Sequence, residues 1–186
     1  MSPPQNTRMV VTLIGYRGCG KSSIAPRLAQ RLGWSWVDAD VELEQRTGRS
    51  IREIFATDGE PEFRRLERET LLALLQRDRI VLAAGGGAIL NSDTRNDFKA
   101  AGSVVWLRAS VESIAHRILR NSPASHRRPN LTSLGGVEEI RELLAIRTPL
   151  YAECATLTVD TDQRPLAETV KVILAALPPE LTGVRS

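Results

Sequence analysis

A glycine-rich loop is encoded by residues 15–22, whose sequence GYRGCGKS fits the pattern G-x-x-x-x-G-K-S between a predicted strand and a predicted helix. Its glycines allow the backbone to turn so that several amide N–H groups point at one anion, and the following helix adds the positive end of its dipole. In this pattern Lys21 contacts the β- and γ-phosphates of a nucleotide, and the Ser22 hydroxyl binds Mg²⁺. The alternative, a turn that binds nothing, does not explain the repeated glycine, because glycine weakens a helix start.

Two carboxylates, Asp38 and Asp40, follow directly after the second predicted strand. A spacing of two in an extended segment places both side chains on the same side. Near a nucleotide phosphate, one carboxylate can hold the Mg²⁺ shell while the other orients or deprotonates an acceptor hydroxyl. The alternative is that Asp40 only caps a helix that starts at Val41, which is a common role for aspartate.

Three consecutive glycines, residues 85–87, follow an apolar run of strand length. Residues without side chains let a ligand approach backbone N–H groups closely, and a plain turn needs only one glycine. Arg64 and Glu67 lie one helical turn apart, a spacing that by itself favours a solvated ion pair. The two cysteines, Cys19 and Cys154, have no His or Cys cluster around them, so the sequence predicts free thiols and neither a disulfide nor a zinc site.

The elements that hold these residues alternate between strand and helix along the chain. Apolar runs predict strands at residues 10–14, 34–37, 80–84, 104–107 and 156–159. Periodicity and caps predict a short helix from Ser50, a long one with Pro61 in its first turn, and helices at residues 21–32, 41–46, 94–101, 111–120, 137–151 and 166–177. Five strands separated by helices indicate a three-layer α/β/α fold with one five-stranded parallel sheet. We expect Trp34, Trp36 and Trp106 in or near its core.

Length and composition indicate a single domain. With 186 residues, the chain is expected to form one domain at residues 9–177, flexible ends at residues 1–8 and 178–186, and a mobile loop at residues 121–136, which lack periodicity. A polar beginning, and no apolar run near the roughly 18 residues that a spanning helix needs, favour the cytoplasm over a membrane. A net charge of +3, 4% aromatic residues and only short basic runs argue against a nucleic-acid partner.

Considered together, these motifs resemble the shikimate kinase family over about residues 10–177. The resemblance is carried by the phosphate loop, Asp-Ala-Asp at 38–40, residues 47–55, the run GEPEFRRLE at 59–67, the three glycines, and RTPLY at 147–151. It implies a P-loop fold of the nucleoside-monophosphate-kinase type. It also implies transfer of a phosphoryl group from ATP, with Mg²⁺ as cofactor, to the 3-hydroxyl of shikimate, in the pathway to chorismate and the aromatic amino acids. A monomer that binds only these two substrates is expected.

The same resemblance assigns roles to individual residues. Asp40 would hold the reacting hydroxyl and act as base, and Asp38 would join Ser22 in the Mg²⁺ shell. Lys21 and Arg128 complete the catalytic set. ATP is assigned to Gly15, Arg17, Gly18, Cys19, Gly20, Lys21, Ser22, Ser23, Arg117 and Arg128. The acceptor is assigned to Asp40, Gly85, Gly86 and Gly87, with Arg64 and Arg147 gripping its carboxylate.

The chain departs from the family pattern in residues 121–136, the segment that corresponds to the family's lid. Family members usually have Arg-Pro-Leu-Leu there, whereas this chain has Arg128-Pro129-Asn130-Leu131 in a segment that looks longer. Arg128 is the expected lid arginine because the following proline favours an extended backbone at that position. Arg127 is the alternative, since the choice depends on Pro129 alone.

Two rival functions are consistent with the phosphate loop. A kinase of the same fold that acts on another hydroxy acid, such as gluconate, would keep Lys21 and Ser22 but would not need two arginines and three glycines around one carboxylate. A non-catalytic relative should have lost Lys21 or Asp40. Both residues are present, which favours an enzyme.

Overall fold

The five predicted strands form one parallel sheet in the computed structural model, which describes residues 9–120 and 136–182. Within these residues the strands are β1 (Val10–Ile14), β2 (Ser35–Asp38), β3 (Ile80–Ala83), β4 (Gly102–Arg108) and β5 (Leu157–Asp160), in the spatial order β2-β3-β1-β4-β5. Every neighbouring pair is parallel. The predicted fold class is therefore confirmed.

Helices connect successive strands across both faces of the sheet. They are α1 (Lys21–Leu32), α2 (Ala39–Thr47), α3 (Ile51–Thr57), α4 (Gly59–Leu74), α5 (Ser92–Ala101), α6 (Val111–Arg120), α7 (Gly136–Cys154), α8 (Leu166–Ala176) and α9 (Pro179–Thr182), with a 3₁₀ turn at Ala88–Leu90. Helix α9 lies within the segment predicted to be a flexible tail. The predicted flexible residues 1–8, the last four tail residues and the predicted mobile loop, apart from Gly136, lie outside the described residues, and with them lie Arg127 and Arg128.

Alternate residues of β1 belong to two different hydrophobic clusters, one on each face of the sheet. Val10 and Ile14 pack with apolar residues of α4, α5 and α7. Val11 and Leu13 pack with apolar residues of α1 and α8. A strand buried on both faces needs apolar side chains in both directions, which explains the continuous apolar run of β3 and that of β1, which only Thr12 interrupts.

Helix α2 begins at Ala39, two residues earlier than predicted, because Asp38 caps it. The Asp38 carboxylate accepts hydrogen bonds from the backbone N–H groups of Asp40 (3.0 Å) and Val41 (3.5 Å). The prediction that Asp38 and Asp40 share one side of an extended segment is therefore wrong, and so is the alternative that Asp40 is the cap. The capping box predicted at Ser50 and Glu53 is confirmed.

The three tryptophans differ in burial. Trp106 is buried and Trp34 is partly buried, as predicted, but Trp36 is 46% exposed. Strand β2 is an edge strand, and its first two residues, Ser35 and Trp36, both face solvent. An edge strand lacks a neighbour on one side, so a large apolar residue there is not covered as it would be in β1. Among the helices of the described segments, none has the length and apolar character that crossing a membrane requires.

Candidate active site

A cleft of about 1030 Å³ runs along the carboxyl ends of the strands. Ligands of open parallel sheets bind at this edge, because the loops that leave the strands converge there. The cleft is lined by residues from six separate parts of the chain: the phosphate loop with the start of α1, the end of β2 with the start of α2, the glycine loop after β3, helix α6, helix α7, and the loop after β5 with the start of α8. Of the predicted site residues it brings together residues 17–23, Asp38, Asp40, Gly85, Gly86, Arg117 and Arg147.

The phosphate loop holds the Lys21 side chain against its own backbone. The Lys21 Nζ donates to the carbonyl oxygens of Gly15 (2.7 Å) and Tyr16 (2.9 Å) and lies 3.6 Å from the Cys19 Sγ. The ammonium group has three donors, so these contacts occupy all of them. A phosphate oxygen would replace a neutral acceptor by a charged one, and charge-assisted hydrogen bonds are the stronger kind.

Glycine is required in this loop for two different reasons, which Gly15 and Gly20 illustrate. Gly15 has φ +139°, and a Cβ there would lie 2.6 Å from the Leu107 carbonyl oxygen. Gly20, directly before α1, has φ +103° with little around it, so its backbone conformation alone calls for glycine. Both cysteines of the chain, Cys19 in the loop and Cys154 in α7, are buried free thiols, as predicted.

Ser22 and Asp38 meet at the magnesium position that the sequence predicts. The Ser22 hydroxyl donates to one Asp38 carboxylate oxygen at 2.6 Å, and the other oxygen of Asp38 caps α2. These are oxygen ligands, the kind that Mg²⁺ prefers. Residues 9–120 and 136–182 contain no group of three or more His, Cys, Asp or Glu side chains that could hold a metal. The arrangement fits Mg²⁺ bound with a nucleotide, because such an ion is held by one or two protein oxygens together with substrate phosphates.

Asp40 lies in the first turn of α2 and lines the same cleft. Its backbone N–H donates to the cap Asp38, so the start of α2 determines the position of both carboxylates. The two residues thus approach the cleft from one capped helix start rather than from an extended strand.

Two of the three glycines of the loop after β3 pack closely against other parts of the site. A Cβ on Gly86 would lie 3.3 Å from the Gly15 carbonyl oxygen and 3.4 Å from the Arg17 nitrogen. A Cβ on Gly87 would lie 2.7 and 2.8 Å from the two terminal nitrogens of Arg64. Ligand approach is the only role that the sequence predicts for these glycines. The structure adds that Gly86 packs on the phosphate loop and Gly87 on Arg64.

Arg64 is paired with two carboxylates of its own helix. It donates to Glu67 at 2.7 Å and to Glu60 at 2.9 Å. The ion pair predicted from the spacing is confirmed, but it is not solvated, because the Glu67 side chain is only 6% exposed. Arg64 lies against Gly87, one of the predicted acceptor residues, but it is not among the residues that line the cleft with Asp40 and Arg147.

Arg147 and Tyr151 lie on the same face of α7, four residues apart, which explains the spacing of the RTPLY motif. The Tyr151 hydroxyl donates to the Gly86 carbonyl oxygen at 2.6 Å, and burial raises the pKa of Tyr151, so it remains a donor at neutral pH. Arg147 is 5% exposed and lines the cleft. Its Nε is buried and has no hydrogen-bond partner within the described part of the chain, so the hydrogen-bonding capacity of the guanidinium is not fully used there.

The other end of the cleft is formed by α6 and the loop after β5. Arg117 donates to the hydroxyl and the carbonyl oxygen of Thr161, at 3.0 and 2.6 Å. Arg117 also lies beside the phosphate loop, because one of its terminal nitrogens is 3.5 Å from the Gly18 carbonyl oxygen. Arg164, in the same loop, also lines the cleft and was missed by the sequence argument. The available signal was its place just after the carboxyl end of a predicted parallel strand.

The Arg17 side chain points to a partner far along the chain. Its guanidinium forms an ion pair with Glu139 of α7 at 3.1 Å. The sequence argument assigned Arg17 to ATP as part of the phosphate loop and gave no role to Glu139. A contact between residues so distant in sequence has no local signal.

Comparisons with known proteins agree on one family. A family model described as shikimate kinase matches residues 17–178. The shikimate kinase of Mycobacterium avium (strain 104) is 45% identical over 166 residues, which cover 89% of this chain and 92% of that protein. The shikimate kinase of Pseudomonas syringae pv. tomato is 42% identical over 165 residues, which cover 89% of this chain and 94% of that protein.

A solved structure described as shikimate kinase from Acinetobacter baumannii in complex with shikimate has the same fold. It aligns with a TM-score of 0.83 and 38% sequence identity, and the alignment covers 90% of this chain and 92% of that chain.

Proposed function

Since the chain belongs to the shikimate kinase family, we propose that it transfers the γ-phosphoryl group of ATP to the 3-hydroxyl of shikimate, on the route to chorismate and the aromatic amino acids. The observation that carries this proposal is the single cleft that Lys21, Asp40 and Arg147 line together. Phosphoryl transfer needs a positioned donor, a positioned hydroxyl and positive charge around the phosphate. Lys21 would supply positive charge at the phosphates, Asp40 would position the hydroxyl, and Arg147 would hold the acceptor by its carboxylate.

On the donor side, we propose that the backbone of residues 15–22 binds the phosphates and that Lys21 neutralises the charge that develops on the transferring group. Ser22 and Asp38 would hold Mg²⁺, which when bound supplies positive charge to the phosphate oxygens. Arg117 would lie along the nucleotide base. Arg128, outside the described residues, would add positive charge at the phosphates, and Arg127 remains the alternative.

On the acceptor side, we propose that Asp40 orients the reacting hydroxyl and accepts its proton. Arg147 would bind the carboxylate with its planar fork of donors. Arg64 would take part only by sharing its donors between the ligand and the carboxylates that now hold it, Glu60 and Glu67. One chain supplies all of these residues, so we propose that a single copy is active as a monomer. From the sequence, we also propose that it acts in the cytoplasm.

An acceptor comparison tests the proposed reaction. Release of ADP is followed by a coupled assay with shikimate, quinate and gluconate side by side, with and without Mg²⁺. We expect turnover with shikimate that requires Mg²⁺, and far slower turnover with gluconate, because fixing the carboxylate and hydroxyl of an open chain in one geometry costs conformational entropy that a ring has already lost. Equal or faster turnover of gluconate would refute the proposed acceptor. Phosphorus NMR of the product identifies the hydroxyl that is phosphorylated.

The Arg147→Lys variant tests the carboxylate contact. Lysine keeps the charge but loses the bidentate fork, so we expect KM for shikimate to rise about 10-fold or more, with KM for ATP changed much less. The matched control is Arg141→Lys on the same helix, because the Arg141 side chain is 57% exposed and pairs only with Glu138 in the described structure. A change confined to ATP kinetics would instead assign Arg147 to the nucleotide.

A further inference from the structure

The phosphate loop is joined to helix α7 by an ion pair whose carboxylate is buried. The Arg17 guanidinium donates to a Glu139 carboxylate oxygen at 3.1 Å, and the Glu139 side chain is fully buried while that of Arg17 is 27% exposed. Position 17 is one of the variable positions of the phosphate-loop pattern, so binding of phosphate by itself does not require an arginine there. Burying the Glu139 carboxylate costs free energy unless the group is well paired. The folding of the phosphate loop does not by itself require this contact.

Tyr16 connects this ion pair with Arg147. The Tyr16 ring is 2% exposed and packs with apolar side chains of α6 and α7. The guanidinium of Arg17 lies 5.9 Å from its ring centroid and that of Arg147 lies 5.7 Å from it. Cations at these distances are attracted to an aromatic ring. The phosphate loop therefore contacts Arg147, the residue proposed to bind the acceptor carboxylate, through the Tyr16 ring.

Helix α7 is held on both sides of Arg147. Toward its beginning, Glu139 pairs with Arg17 of the phosphate loop. Toward its end, Tyr151 donates to Gly86 of the glycine loop. Both loops line the cleft, so α7 is tied to the donor side at one point and to the acceptor side at the other. Loss of one tie would let the helix, and with it Arg147, shift relative to the phosphates.

We propose that Arg17 and Glu139 are a positioning pair that sets the location of Arg147 relative to the phosphate loop. The inference rests on the proposed function of Arg147 as the group that binds the acceptor carboxylate. The backbone of Arg17 would bind the phosphates, while its side chain pairs with Glu139 of α7. Neither side chain of the pair is a catalytic residue, because each acts through Arg147.

The Glu139→Gln variant tests the pair, since glutamine keeps the size of the side chain and removes its charge. We expect KM for shikimate to rise about 10-fold, because a displaced Arg147 binds the carboxylate less well. The change in KM for ATP should stay within about 3-fold, because Lys21 and the loop backbone remain in place. The Arg17→Met variant should show the same pattern, and combining the two changes should add little to either one.

Glu138→Gln is the matched control. It is the preceding residue in the same helix turn, and its pair with Arg141 is exposed, with side-chain exposures of 64% and 57%. We expect the kinetics of this control to be unchanged. Thermal unfolding of every variant separates a shift in KM from a loss of folded protein. If Glu139→Gln does not fold, Arg17→Met supplies the test, because its side chain is partly exposed.

Combination with Arg147→Lys separates this inference from the proposed function. If Glu139 acts through Arg147, adding Glu139→Gln to Arg147→Lys should not raise KM for shikimate further. If Arg147→Lys raises that KM while Glu139→Gln and Arg17→Met do not, the positioning role is wrong and the function of Arg147 stands. If Arg147→Lys itself leaves that KM unchanged, the carboxylate contact is wrong. An equal rise in KM for ATP in Glu139→Gln would assign the pair to the nucleotide and overturn the inference.

Discussion

The Lys21→Ala variant is expected to lose at least about 100-fold in kcat while remaining folded. Preorganised charge at the transferring group typically contributes a factor of this size, which corresponds to about 2.7 kcal/mol of transition-state stabilisation. In the structure the Lys21 ammonium is held by the carbonyl oxygens of Gly15 and Tyr16, so it lies within the loop that would surround the phosphates. Removing it leaves the loop backbone in place but without its positive charge.

Steady-state kinetics and thermal unfolding together measure this effect. The matched control is Lys171→Ala, because Lys171 is exposed on α8 and the cleft does not include it. We expect native kinetics from the control. A Lys21→Ala enzyme with turnover near the native value would show that other groups neutralise the transferring phosphoryl group, and Lys21 would then be removed from the catalytic set.

The Asp40→Asn variant is expected to lose at least about 100-fold in kcat with smaller changes in either KM. Asparagine has nearly the same shape but cannot accept the proton of the hydroxyl, and general-base contributions are typically 100-fold to 10,000-fold. The start of α2 should survive the change, because the helix cap is Asp38 and the Asp40 contribution to that cap is its backbone N–H. The loss should therefore appear in the chemical step and not in folding.

Glu42→Gln is the control for Asp40→Asn. Glu42 lies in the first turn of the same helix and pairs with Arg77 at 2.6 Å, so the control removes a similar charge without touching the cleft. We expect the control to keep native kcat. Near-native turnover in Asp40→Asn would exclude Asp40 as the base and leave proton acceptance to another group.

Local sequence predicted the strands, most helices and the phosphate loop because their signals are contiguous. Strand β1 is buried on both faces, which requires the largely apolar run that is visible in its five residues, where only Thr12 is polar. The phosphate loop is recognisable because backbone conformation demands glycine at fixed positions beside Lys21 and Ser22. The wrong prediction for the start of α2 also has a local cause. The start of α2 was misplaced because Asp38 and Asp40 are equally good caps by residue type, and only hydrogen-bond geometry distinguishes them.

The sequence by itself therefore determined the class of fold, the family resemblance and the residues of the phosphate loop. The tertiary structure decided which distant side chains meet. Strand order places β1 between β3 and β4, and this order brings Gly86 onto the phosphate loop and α7 beside it. Alternation of strands and helices does not specify that order, so no pattern along the chain could have paired Arg17 with Glu139. Packing, unlike backbone conformation, depends on contacts between residues far apart in sequence, and for that reason the positions of Arg64 and Arg147 required the structure.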